Sequence, residues 1–433
     1  MAVSLLPERI DPSGGPCSTP VRIAETAWVR TLCRAPVAPT AILLCAVARL
    51  SSAAGLDAQT STTVVHERGD RPPQEWRVPP APEVIIHGFG DAEPTGFWTI
   101  VGVVRYTSGH IAVADGGSTA VHIFTDSGDF LRTVGGPGPG PREFGPLWAI
   151  FRVGDSSLVG VDGLGRGEVF SVNGRHAATV PIRVSPTGQR IRPLGYFRDG
   201  SYLGYVLLPV DVGAGQTALQ EARLFVVDPE SGGLNTLGIV PARTVARARA
   251  GPPRPLVYGP RLHAAVSGDS YCLGFSDDYA IKCFDRGGDH QLLLQRRGVE
   301  RRPVTENDRR TYFSGMDAAN PGPRGAEFRR ALRQRTRFAS HMPPFGRIVL
   351  SSDGHIWVGP VVPDDETLGE LNSPPETPQR WSVYSRDGGW RADVVLPAGF
   401  RFMDAGPRSV VGVTRDETGV ERIAIYPVQR GEG

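Results

Sequence analysis

The 433-residue chain has little lysine: Lys282 is the only one, and almost all other positive charge is arginine. A GC-rich genome accounts for that bias by itself. The other reading is that the bidentate arginine fork is kept for phosphate-like partners. Net charge is also small, +2 at neutral pH. Such an excess generates no whole-chain field, so bulk charge gives no case for nucleic acid or a membrane surface as partner. Long apolar runs are scarce as well. The best, residues 37–48, is well short of the ~20 residues a span needs, and Arg49 follows it directly. C-x-x-C, H-E-x-x-H, P-loop and G-x-S-x-G patterns are all missing. That leaves no motif-borne redox, zinc-protease, nucleotide-hydrolysing or esterase chemistry.

What is plentiful is glycine (54) and proline (39), together more than a fifth of the chain. Short strands and many turns suit that composition better than a helical bundle does. The N-terminal segment reads as a secretion leader. Arg30 and Arg34 precede the apolar run, small residues follow at Ser51 to Gly55, and Leu56-Asp57-Ala58 is a tolerable cleavage signal before Gln59. Residues 1–58 are therefore expected to be a leader and residues 59–80, rich in proline and polar groups, a linker. Cys45 follows Ile42-Leu43-Leu44 rather than the small residues a lipid-anchor signal wants. Cys17, Cys33 and Cys45 fall in the leader, which leaves Cys272 and Cys283 for an exported, oxidised domain. The two flank a tight turn near Asp277-Asp278, and simple hairpin pairing sets them opposite each other. Either a cross-strand disulfide or two small half-buried hydrophobes fits that register.

Self-similarity decides the fold class. A glycine turn leads into an alternating apolar strand, a variable loop, a second strand, a second glycine turn and a third strand. The clearest copy is Ser108-Gly109, His110 to Ala114, Val121 to Phe124, the turn at Asp126 to Asp129, and Phe130 to Val134. Further copies begin at Gly154-Asp155, Asp199-Gly200, Gly268-Asp269, Asp353-Gly354 and Gly406-Pro407. Each has an apolar strand before it, such as Trp98 to Val104, giving four strands at a period of about 45 residues, the spacing of a propeller. The same order in every copy argues against a β-sandwich with accidental similarity. The sixth unit lacks its outer strand, and Glu83-Val84-Ile85-Ile86-His87-Gly88 is an orphan strand ahead of the first unit. Pairing the two closes the ring and removes an exposed sheet edge. The expected fold is an all-β, six-bladed propeller over residues 81–430.

The connector Val134-Gly135-Gly136-Pro137-Gly138-Pro139-Gly140-Pro141-Arg142-Glu143-Phe144 and the blade residues Ala112-Val113-Ala114-Asp115 resemble NHL-like six-bladed propellers. The resemblance spans roughly residues 83–428 and is weak in the second, third and sixth units. It implies a binding platform, with metal-dependent lyases and lactonases among related propellers. Fold alone does not choose between these.

In a four-stranded blade the loop after the second strand and the connector to the next blade share one face. The insertions at 209–221, 241–260, 296–345 and 360–379 should therefore crowd that face, where binding usually resides. The segment 296–345 is strongly basic, with Thr305 a helix cap and Phe328, Ala331 and Leu332 on one side of a second helix; it reads either as a lid or anion-binding surface or as a solvated helical insertion that packs Phe328 and Leu332 onto the ring. The segment 360–379 is acidic (Asp364, Asp365, Glu366, Glu370, Glu376) and could face the basic one. Ligand-binding candidates on this face are Asp115, Arg142, Asp162, Arg166, Asp278, Arg309, Arg310 and His341. Asp115, Asp162 and Asp278 open short loops, where aspartate is either a turn former or an oxygen ligand for a central Ca²⁺. Arg142 and Glu143 read as a local pair. His110 and His355 hold equivalent structural positions; His263 and His341 lie nearer the loop face. The expected function is that of an exported, periplasmic or extracellular, non-catalytic propeller without a cofactor, binding a protein or small-molecule ligand through its loop face. The alternatives are a metal-assisted (Ca or Zn) lyase or hydrolase and a structural module of an envelope assembly.

Overall fold

The computed structural model describes residues 61–90, 96–249, 251–319, 322–361 and 374–431; the expected leader lies outside the described residues. Three short strands come first, β1 (Thr62–His66), β2 (Gln74–Arg77) and β3 (Val84–Ile86). Blade 1 contains β4 (Ile100–Arg105), β5 (Ile111–Asp115), β6 (Ala120–Phe124) and β7 (Phe130–Gly135). Blade 2 contains β8 (Leu147–Val153), β9 (Ser157–Asp162), β10 (Arg166–Ser171) and β11 (His176–Pro181). Blade 3 has β12 (Arg192–Tyr196), β13 (Tyr202–Leu207), β14 (Thr217–Val227), β15 (Leu234–Ala246) and the short β16 (Arg254–Pro255). Blade 4 has β17 (Leu262–Ser267), β18 (Ser270–Phe275), β19 (Ala280–Asp285) and β20 (His290–Arg296). Two helices, α1 (Glu306–Ala319) and α2 (Gly322–Arg335), precede blade 5, which contains β21 (Arg347–Leu350), β22 (Ile356–Gly359), β23 (Gln379–Tyr384) and β24 (Trp390–Leu396). Blade 6 has β25 (Arg401–Ala405), β26 (Ser409–Arg415) and β27 (Glu421–Pro427), with β28 (Gln429–Arg430) after it. Strands within a blade pair antiparallel in chain order. The innermost strands β4, β8, β12, β17, β21 and β25 touch in that order, and β25 returns to β4. The chain is a six-bladed β-propeller.

The alternation in the strands has a physical reason. Ala112 and Ala114 of β5 pack toward blade 2 with Phe144, Leu147 and Leu158. Ile111 and Val113 of the same strand pack toward blade 6 with Val411, Val413 and Ile423. Odd and even residues thus serve different seams, and β5 is buried along its whole length. Each of the other four seams has its own apolar cluster. The hairpins that turn these strands need the left-handed region, supplied in blade 1 by Gly109 (φ 93°) and Gly128 (φ 91°).

Closure follows the expected route. β3 pairs antiparallel with β27, matching Ile86 to Ile423 and Val84 to Ile425, and becomes the fourth strand of blade 6. The seam to blade 1 carries a buried polar lock as well. Glu421 Oε2 accepts the Ile100 amide at 2.6 Å, while Arg401 Nη2 donates to the Ile100 carbonyl at 3.1 Å. Arg401 and Arg415 flank the Glu421 carboxylate at 3.6 and 3.2 Å.

The segment expected to be a linker is a correction. β1 adds to blade 4 as a fifth strand, parallel to β20, and β2 adds to blade 5, parallel to β24, with β28 on its other side. An outer strand buries one side only, so Thr62-Thr63-Val64-Val65 and Gln74-Glu75-Trp76 need few apolar residues. Trp76 is the exception: it is buried, and the Arg430 guanidinium lies 4.3 Å over its ring.

Cys272 and Cys283 form a disulfide across β18 and β19, directly opposite in register with Cα atoms 4.0 Å apart. That spacing belongs to the non-hydrogen-bonded class of antiparallel pair, which brings side chains close.

Two outcomes follow. Cys272→Ala/Cys283→Ala loses about 2–3 kcal/mol in urea unfolding, the worth of a short closed loop; an unchanged midpoint refutes this. Glu421→Ala leaves Arg401 buried without its carboxylate at the closing seam and loses about 3–5 kcal/mol. Glu421→Gln, which keeps an acceptor for the Ile100 amide, loses less.

Candidate functional site

At the loop-face end of the second strand, a side chain grips the backbone entering the same blade. Asp115 accepts amides from Trp98 (3.2 Å), Thr99 (2.8 Å), Gly117 (3.3 Å) and Ser118 (3.0 Å). Asp162 accepts Gly145 (3.0 Å), Leu164 (2.9 Å) and Arg166 (3.0 Å) in the same way. Both carboxylates are fully buried, Asp115 holding backbone amides and Asp162 holding amides together with the Arg166 guanidinium. They hold loops in place. In blade 4 the equivalent grip comes from Ser276, whose hydroxyl accepts the Arg261 amide at 3.0 Å. Asp278 lies two residues beyond it, exposed, with Oδ1 on the Tyr279 amide.

Arg166 is likewise structural. Its guanidinium pairs with Asp162 at 3.2 Å and donates to the carbonyls of Gly138, Pro139, Gly140 and Glu143. The glycine- and proline-rich connector is wrapped around this one cation. Glu143 accepts the Gly140 amide at 2.8 Å, and the exposed Arg142 gives its own amide to the buried Glu168; the cation that serves this connector is Arg166. His110 and His355 each accept, through their carbonyls, the amide that closes a first hairpin, those of Tyr106 and Ser351.

The insertions differ in kind. Residues 217–221 and 241–246 of the first two insertions extend β14 and β15, which run on as a ladder as far as Thr217 opposite Ala246. The rest of the second insertion packs with residues 303–345 as a cap. Val257, Tyr258, Val304, Tyr312, Ala339 and Met342 form its small core, and Val257 bridges Phe338. Thr305 and Asp308 make a capping box at the start of α1, Thr305 N to Asp308 Oδ2 at 2.7 Å and Asp308 N to Thr305 Oγ1 at 3.2 Å. Arg302 grips the Asp308 carboxylate with both arms and holds its pKa down to about 2. On α2 only Leu332 of the two expected contacts is buried; Phe328 is half exposed, and Ala331 on the same side is exposed. Arg309 and Arg310 are exposed on α1, Arg309 lying 5.5 Å over the Phe338 ring, and His341 is exposed at the cap's rim. Of the acidic segment, residues 362–373 lie outside the described residues.

Beneath the cap, where blades 3 and 4 meet at the loop face, is a cavity of about 510 Å³. Its apolar wall is Leu194, Leu207, Ala242, Pro255, Val257 and Leu262, with Tyr205 and Tyr312 beside them. Its charged wall is Arg192, Arg243, Arg254 and Arg261. None of the eight expected candidates lines it. A signal was present in the repeat: Arg192, Arg261, Arg347 and Arg401 each stand at, or one residue before, the start of an innermost strand, in four successive blades. Arg347 and Arg401 are committed to the next blade's backbone, on Phe402 O and Ile100 O. Arg192 and Arg261 face the cavity. A larger groove of about 880 Å³ lies on the opposite, turn face between blades 2 and 3, but its charges are mixed, with Arg286 paired to Asp199. Among the described residues no three His, Cys, Asp or Glu come together as a metal site, and no helix is long and apolar enough to cross a membrane.

No family model and no curated protein matches the chain. Several solved structures are similar in shape. A candidate exported protein of Bacteroides fragilis is 9% identical, covers 86% of this chain and 100% of its own, and has a TM-score of 0.46. A DUF4221 family member from Bacteroides vulgatus is 10% identical, with 82% and 99% covered and a TM-score of 0.46. The calcium-binding protein regucalcin of Agrobacterium tumefaciens is 10% identical, with 84% and 96% covered and a TM-score of 0.35. At these scores the likenesses carry no functional inference.

Near the cavity, burial pushes the His263 imidazole down to about 3, and the Arg261 and Arg347 charges add to it. Its folded pKa is below the ordinary unfolded value of about 6.5, so its contribution to stability is whole above pH 6.5 and is lost as pH falls toward 3. His263→Gln should flatten the acid side of the stability profile between those limits. An NMR titration of His263 with a midpoint near 6.5 would contradict this.

Proposed function

We propose that this chain is an exported, non-catalytic propeller that binds a small-molecule ligand in the cavity between blades 3 and 4, beneath the cap. The observation that carries the reading is the cap itself. Two separate connectors leave the ring, build a core of their own and enclose space over one seam. Folding of the ring does not require that, since blades 1 and 2 are joined by a single short connector. The volume falls within the roughly 300–1,000 Å³ of ordinary ligand sites, and an apolar wall with a few convergent polar groups is their usual make-up. A binding role without catalysis accords with Asp115 and Asp162 being engaged by backbone amides. Export accords with the disulfide and with the leader-like residues 1–58. Kinship with NHL-type propellers belongs to the same reading and rests on the connector at 134–144.

The test is cavity filling. The uncharged dye Nile red should bind the wild type at one site with a fluorescence gain. Leu207→Trp, placing an indole in the cavity from a half-buried wall position, should abolish the gain while the unfolding midpoint holds. An equal gain in the variant would place the dye, and the site, elsewhere.

A further inference from the structure

The outer edge of blade 2 is unfinished in a way that blade 5 explains. Blades splay outward from the ring axis, so the gap between neighbours widens toward their outer strands and has to be filled there. Blades 1, 2, 4 and 5 share a register shift before Phe124, Phe170, Phe284 and Tyr384, so their outer strands align residue for residue. Opposite the last position before that shift stand Arg132 in blade 1, Ala178 in blade 2, Leu292 in blade 4 and Ala392 in blade 5. Arg132 fills its own gap, lying against Gly174 of blade 2 and donating to the Asn173 carbonyl. Leu292 does the same against Gly388 of blade 5. Alanine is too short for this. In blade 5 an added strand makes good the deficit: β2 runs parallel to β24, with Gln74 opposite Ala392 and Trp76 opposite Val394. The indole joins one apolar cluster with residues of blades 5 and 6, and Ala392 and Val394 are fully buried beside it.

Blade 2 has the same alanine and no added strand, for β11 ends its sheet. Ala178 is exposed, and Val180, the counterpart of the buried Val394, is half-buried. The gap to blade 3 stands open as the turn-face groove of about 880 Å³, floored by Val153, Val169, Val180, Tyr196, Val226 and Leu234. Tyr196 adds an independent sign. Its side chain is 4% exposed, yet among the described residues its buried hydroxyl meets no hydrogen-bond partner. The edge itself has no charged residue from Ala177 to Ile182. Charge, lysine above all, is the usual protection of a bare edge against another chain's strand.

We propose that β11 is a docking edge for an extended, uncharged segment of a partner protein. The segment adds as a fifth strand parallel to β11 and inserts an aromatic side chain into the groove opposite Val180, where the Tyr196 hydroxyl meets a polar atom of the insert. Main-chain hydrogen bonds supply affinity in strand addition, and the side-chain pocket supplies specificity. β2 on blade 5 sets the orientation and the class of anchoring residue, and the uncharged edge selects an uncharged strand. Docking here needs no ligand in the cavity beneath the cap.

The probe is a fluorescein-labelled, end-capped peptide with the sequence of residues 73–79 carrying Glu75→Thr and Arg77→Thr, followed by fluorescence anisotropy on the intact protein. The wild type should bind it at one site. Replacing the peptide's tryptophan by alanine should weaken binding about thirtyfold, the loss of a central anchor. Methylating the peptide's amide nitrogens should abolish binding, because the ladder is then lost. Ala178→Arg, at an exposed position, gives blade 2 the filler that blade 1 has and should weaken binding at least about tenfold while the unfolding midpoint holds. Tyr196→Phe should weaken it about two- to tenfold, the worth of one hydrogen bond, and leave or raise the midpoint, since a buried hydroxyl without a partner is removed. If the wild type does not bind the peptide, or Ala178→Arg binds it as tightly, or the methylated peptide binds equally well, β11 is not a docking edge. If the protein alone sediments as a dimer that Ala178→Arg dissolves, the occupant is a second copy and the assignment to a partner protein is wrong.

Discussion

The structure depends on burial of both faces of every central strand. A blade of this ring has no solvent face on β5 or its counterparts, so no blade is stable without both neighbours. Five of the six seams join blades consecutive in the chain. The sixth joins residues 84–105 to residues 401–427, and it receives the most elaborate fastening: an added strand, an apolar cluster, and a glutamate and an arginine that clasp the two ends of one peptide group, at Ile100. A buried charge pair of this sort is costly to desolvate. Its value here lies in register, because it fixes where blade 1 begins against blade 6.

Rigidity of the ring is what makes the loop face usable. Asp115 and Asp162 anchor the incoming backbone at the rim of their blades, so loops that leave the rim start from fixed points. In blades 3 and 4 the chain uses those points differently. β14 and β15 overshoot the ring, and the long connector before blade 5 folds back onto the one before blade 4. Charge then accumulates by position rather than by composition. The whole chain carries almost no net charge, yet four blades in succession place an arginine where an innermost strand begins. Two of these bind backbone across seams and two line a cavity.

Local periodicity made much of this legible in the sequence. Strand alternation, glycine turns and the orphan strand at Glu83 to Gly88 are near-neighbour patterns, and they led to blade number and to closure. The Cys272–Cys283 pair was readable because a tight hairpin fixes register. Other features depend on what lies across space. β1 and β2 bury one side only, so their composition looked like that of a linker. An aspartate that opens a loop has the same local signature whatever it holds, and the amides of Trp98, Thr99 and Gly145 that Asp115 and Asp162 accept lie too far along the chain to be read from it. The sequence offers Asp278 for the equivalent position in blade 4, but Ser276 occupies it, and a two-residue offset is invisible without pairing. On α2 the apolar stripe contained both Phe328 and Leu332, and the partner surface selects the second alone.

The outer strands at the N-terminal end give the protein an unusual chronology. Synthesis delivers residues 62–86 ahead of every blade, yet their partners in blades 4, 5 and 6 emerge only after most of the ring exists. Until then these strands have bare amide edges and no sheet to join, and the nascent protein must spend that interval as an open arc. Assembly is therefore less a matter of stacking blades in order than of keeping an early ribbon out of trouble until the last one arrives.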